Sequence, residues 1–140
     1  MGICIAVTIG TTTVEFNCGY SASSLFGWFE ENIKPEINLY TTCVRWGRGE
    51  INDSDFINTI LMYNTEVLAL TKSHIRLNFN QYLHQCDGEV SKQRCLYELL
   101  WDGEYLLLPV DTKIYQERYG ELVKVAQALV NPGATRYFDC

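Results

Sequence analysis

The first eighteen residues constrain the fold more than any other stretch of the chain. Ile3, Ile5, Val7 and Ile9 alternate with Cys4, Ala6 and Thr8, Gly10-Thr11 breaks the run, and a β-branched and aromatic stretch resumes from Thr12 to Cys18. Alternation with period two puts the four branched aliphatics on one face of a pleated strand, and a short glycine-containing break between two such runs predicts a β-hairpin. One face of that hairpin is apolar and has to be covered by later segments.

Helical spacing appears next. Leu25, Phe26, Phe29 and Ile33 predict a short first helix with Ser23 or Ser24 as its N-cap, stopped before Pro35 because proline disfavours the α conformation in the residue that precedes it. Ile37 to Trp46 holds Leu39, Tyr40, Thr41, Thr42, Cys43 and Val44, a composition suited to a half-buried pleated surface, and predicts a third strand leading into a Gly47-Arg48-Gly49 turn. Asp53 or Ser54 caps a second helix running to about Thr71, with Phe56, Ile57, Ile60, Leu61 and Asn64 on one stripe. Ile75, Leu77 and Phe79 then alternate with Arg76, Asn78 and Asn80, as in a strand with one wet face.

Two apolar runs, Cys95 to Trp101 and Glu104 to Val110, flank Asp102-Gly103. Aspartate tolerates and glycine freely accepts the positive φ angles of a two-residue type I′ turn, so this segment predicts a second hairpin; a helix over 95–101 competes, since Leu96, Leu99 and Leu100 also share a helical face. Asp111 or Thr112 caps a last helix with Tyr115, Tyr119, Leu122, Ala126 and Leu129 on one side, ended by Asn131-Pro132-Gly133. The expected order is β-β-α-β-α-β-β-β-α: an α+β fold with a mostly antiparallel sheet of five or six strands and three helices, in one domain spanning residues 1–140.

Composition bounds the functional classes. With 47% apolar and 20% charged residues the chain has the balance of an ordinary globular protein, and no apolar run approaches the ~18 residues that span a bilayer. Nothing basic precedes Ile3 to Ile9 and the first Lys or Arg is Lys34, so the segment lacks the n-region of a signal peptide; a soluble, cytoplasmic protein is expected. On that reading Cys4, Cys18, Cys43, Cys86, Cys95 and Cys140 are free thiols.

The net charge of −6 is unevenly spread. Asp87, Glu89, Glu98, Asp102, Glu104 and Asp111 face only Lys92 and Arg94 in the same stretch. Such a field disfavours a nucleic-acid backbone and favours a protein partner with a basic surface. Tryptophan is enriched at interfaces, and Trp46 beside its glycine turn and Trp101 at the Asp-Gly tip both fall where strands are expected to end. The candidate partner-binding residues are therefore Glu98, Trp101, Asp102 and Glu104, with Trp46, Asp87 and Glu89.

No motif points to catalysis, a cofactor or a metal. His74 and His84 lie in no nucleophile signature, His84, Cys86 and Cys95 lack the paired short spacings of a zinc site, and Asp53 and Asp55 sit where a helix dipole stabilises acids. Gly47-Arg48-Gly49 matches neither phosphate-loop pattern. In size, charge and missing chemistry the chain resembles the immunity proteins, which implies a non-enzymatic antitoxin-type inhibitor that neutralises a basic toxin or effector by 1:1 binding. Two alternatives stand beside it: a phage anti-defence or regulatory protein sequestering a host protein or a small nucleotide, and a small enzyme using Cys86 or Cys95 with a histidine.

Overall fold

A computed structural model describes residues 2–78, the backbone of 101–102, and 105–140. Among them the chain forms β1 (Gly2–Ile9), β2 (Thr12–Gly19), α1 (Leu25–Ile33), α2 (Leu39–Gly47), α3 (Asp53–Ala69), β3 (Ser73–Asn78), β4 (Trp101–Asp102), β5 (Tyr105–Val110), α4 (Thr112–Ala128) and β6 (Thr135–Asp139). The fold is α+β, and every strand pair is antiparallel. Among the described residues the strands divide between two three-stranded sheets, β2-β1-β6 and β3-β5-β4, where the sequence predicts one. None of the helices among the described residues is long and apolar enough to cross a membrane.

The opening hairpin forms as its alternation requires, with Ile9 opposite Thr12 around Gly10-Thr11. Gly10 has φ of +60°, and Thr11 stays in the ordinary negative region, the pattern of a type II′ turn. Ile3, Ile5 and Val7 are buried, while Cys4, Ala6 and Thr8 lie half-exposed on the other face. Helix α4 covers that apolar face and packs on α3 as well; α1 packs on β3.

The strand expected over 37–46 is instead the helix Leu39–Gly47, capped by Asn38, whose Oδ1 accepts from the Thr41 amide at 2.8 Å. Its β-branched residues resemble a strand, but Leu39, Cys43 and Trp46 recur at helical spacing and are fully buried. Thr42 is accommodated by donating its hydroxyl to the Asn38 carbonyl one turn back. Four helices rather than three are thus present among the described residues, and β6, after Pro132-Gly133, is a strand the sequence did not predict.

Elsewhere the expectations need smaller changes. Ser24 caps α1, which ends at Ile33 with Lys34 left-handed; Asn52, one residue before the predicted position, caps α3; Asp111 caps α4. The buried stripe of α3 is Phe56, Ile60, Tyr63 and Val67, which leaves Leu61 on the wet side. In the second hairpin Asp102 pairs with Tyr105 and Trp101 with Leu106, so Asp102 belongs to the ladder and the connection is 103–104 rather than Asp102-Gly103. The competing strand and helix readings of 95–100 lie outside the described residues, as do Phe79 and Asn80.

The core is largely aromatic. Trp46 stacks on Phe56 at 4.5 Å between centroids, and Phe29 stacks on Tyr119 and meets Tyr63 edge-on, both at 5.5 Å. The Tyr119 hydroxyl donates to the Ile60 carbonyl at 2.7 Å, so this buried phenol is satisfied.

Candidate functional site

Of the predicted partner-binding residues, Asp87, Glu89, Glu98 and Glu104 lie outside the described residues, and Trp101 and Asp102 are placed by their backbone alone, in β4. Trp46 is corrected by its burial. It faces the core from α2 with no exposed surface, its indole N–H donates to Asp53 Oδ1 at 2.8 Å, and Arg136 lies 4.9 Å over its ring. A side chain so enclosed offers nothing to a partner.

The best-formed concavity among the described residues is a cleft of about 400 Å³ lined by Tyr20, Ser21, Ala22, Gly27, Glu30, Glu31 and Arg76. Its floor exists because residue 27 is glycine: a Cβ there would sit 2.5 Å from the Ala22 carbonyl oxygen, so only glycine lets the serine-rich loop lie flat on α1. The loop is tied down within itself, with Ser24 Oγ donating to the Ser21 carbonyl at 2.7 Å. From outside, the Tyr115 hydroxyl donates to the Ser23 carbonyl at 2.7 Å.

One wall is the last turn of α1, which carries Glu30 and Glu31 and no base. Carboxylates at a helix C-terminus face the negative end of the dipole, a placement that costs stability and deepens the local negative potential. Each is oriented by one oxygen only. Asn38 donates to Glu30 Oε1, and His74 Nε2 lies 3.1 Å from Glu31 Oε1, with the two side chains 36% and 23% exposed. No described contact involves the second oxygen of either.

β3 forms the facing wall. Ile75 and Leu77 point into the core, and His74 and Arg76 alternate onto the cleft side. Asn32 fixes the height of this strand against α1: its amide nitrogen donates to the His74 carbonyl at 2.7 Å, and its oxygen accepts from the His74 amide at 3.1 Å. The Arg76 guanidinium lies 4.6 Å over the Tyr105 ring. At the mouth, Tyr20 is 52% exposed and packs 4.5 Å from Tyr40, so the entrance is aromatic and the wall behind it acidic.

Such an arrangement can hold a cation, whose charge meets two carboxylates while its stem lies against a tyrosine face. It is poorly suited to phosphate, since the anion would meet Glu30 and Glu31. No three of the described His, Cys, Asp and Glu residues are placed to share a metal ion. Cys43 is a core filler: burial first, and then neighbouring Cys18, push its thiol far up, the reverse of an activated nucleophile. Cys86, Cys95 and His84, which a Cys-His enzyme would use, lie outside the described residues.

None of the cleft residues is among the partner-binding residues expected from the sequence. The available signal was Glu30-Glu31 within the last turn expected before the Pro35 helix stop, two acids where a dipole argues for bases. Compared with known proteins, the chain matches no protein-family model, no curated protein and no solved structure.

Proposed function

We propose that this chain is a non-enzymatic binding protein of the antitoxin or immunity type, neutralising a basic partner by 1:1 docking with the Glu30-Glu31 cleft as the seat for a lysine or arginine side chain of that partner. The observation that carries this reading is the pair of half-satisfied carboxylates at the negative end of α1. The helix dipole alone argues against two acids at that end. The net charge of −6 supports the same reading, because a field of that sign steers a basic surface toward the cleft before contact.

The test has two stages. Purification from the native host followed by mass spectrometry is expected to return one basic protein in equimolar amount. Its association rate should fall as salt is added, and Glu30→Gln with Glu31→Gln should lower that rate at low salt by about tenfold or more. A co-purifying nucleotide, seen as excess absorbance at 260 nm, would favour the sequestering alternative. Association that ignores both salt and the two substitutions would sink the cleft as the seat of binding.

A further inference from the structure

The open edge of β6 carries an inference independent of the cleft. In a two-residue hairpin the pair that closes the turn is hydrogen-bonded across the ladder, so Ile9 bonds toward β2 and, by alternation, so do Val7 and Ile5. Thr8, Ala6 and Cys4 then bond toward β6, where they face Thr135, Tyr137 and Asp139. The backbone N–H and C=O groups of Arg136 and Phe138 therefore point away from the sheet.

Two other edges are visibly guarded. On β2 the Asn17 carbonyl accepts from the Arg118 guanidinium, and on β3 the His74 amide and carbonyl are both taken by Asn32. Along β6 no described residue pairs with the outward groups of Arg136 and Phe138. Unpaired edges of this kind are templates for another strand, and proteins usually blunt them.

We propose that this edge takes a second copy of the chain, the two β6 strands pairing antiparallel about a two-fold axis at Tyr137. Only a pairing that sets Arg136 opposite the copy's Phe138 joins the outward groups of both strands at both positions. It also sets Thr135 opposite Asp139 and brings the two Tyr137 rings, each 57% exposed, side by side on the outer face. The order becomes β2-β1-β6 continued through its own image, and the sheet loses an open edge. Charge selects the occupant. Most approaches of one −6 chain to another set acid against acid, whereas β1 has no charged residue and β6 has one base and one acid, with no like charges opposed in this register. A basic strand from another protein would find only Asp139 to recognise.

So short an interface makes a concentration-dependent dimer. Sedimentation velocity from about 1 to about 300 µM should show the 16.1 kDa chain converting to a species of twice that mass, in the affinity range of small interfaces. Tyr137→Lys sets two cations on the axis and should weaken the dimer at least about tenfold without changing the far-ultraviolet circular dichroism. Tyr137→Cys in a Cys140→Ser background should give a covalent dimer on mild oxidation, well above Cys140→Ser alone, because Cα atoms of a non-hydrogen-bonded pair stand at disulfide distance. A chain that stays monomeric throughout, a Tyr137→Lys chain that dimerises as tightly as wild type, or no gain in cross-linking overturns the proposal.

Discussion

Trp28 and Trp46 are both fully buried, yet their indole nitrogens are treated differently. Trp46 donates to Asp53, whereas Trp28, stacked on Tyr115 at 5.1 Å, has no acceptor for its N–H among the described residues. An unmet buried donor costs about 1–3 kcal/mol, and phenylalanine removes it while keeping a ring to stack. Trp28→Phe should therefore destabilise less than Trp46→Phe, by about 1–3 kcal/mol in urea unfolding, even though both lose the same volume. Equal losses would mean that Trp28 finds an acceptor. Glu30 yields a second residue-scale contrast. Glu30→Gln keeps an oxygen for Asn38 and removes a charge from the helix end, so the melting temperature should hold or rise slightly while binding to a basic partner weakens. A clear fall in melting temperature would make Glu30 a structural residue and remove the main support for the cleft.

At the scale of elements, α2 rests on Asn38 more than on propensity. That residue caps Thr41 through Oδ1, receives the Thr42 hydroxyl on its carbonyl, and orients Glu30 through its amide nitrogen. Asn38→Ala should cost about 0.5–2 kcal/mol, the range of a lost N-cap, readable in chemical unfolding. A variant as stable as wild type would show that packing of Leu39, Cys43 and Trp46 alone holds the helix. The same element shows where sequence patterns stop. The opening hairpin, α1, α3 and α4 were legible because their apolar residues keep one period and their ends carry caps or proline. In α2 a helical period runs through β-branched residues, and composition outweighed it. β6 was illegible for another reason: Arg136 and Phe138 share its inner face, so no apolar alternation marks it. The cleft was hidden because it joins Glu31 to His74 across 43 positions, through a pairing of α1 with β3 that only the folded chain contains.

On the whole-molecule scale, the core ties global stability to alkaline pH. Burial raises the Cys43 thiol well above its ordinary 9.0, and burial, aided by Cys43 and Tyr63, raises the Tyr119 phenol above 10.0. Each keeps its proton in the folded state after the unfolded chain has released it. Above about pH 9 the native state therefore binds more protons than the unfolded state, and stability falls as pH rises, first through Cys43 and then, above about pH 10, through Tyr119 as well. Each group contributes a slope of up to about 1.4 kcal/mol per pH unit between its unfolded and folded values. Urea unfolding from about pH 7 to about pH 10.5 should thus show a plateau followed by a steepening decline. Cys43→Ala should be somewhat less stable at neutral pH, since a well-packed side chain is trimmed, yet lose less between about pH 9 and about pH 10, because alanine has no proton to hold. The two stability curves are therefore expected to converge with rising pH. Parallel curves would show that the alkaline loss comes from groups other than the Cys43 thiol, and a flat wild-type curve would show that the core admits enough water to ionise both.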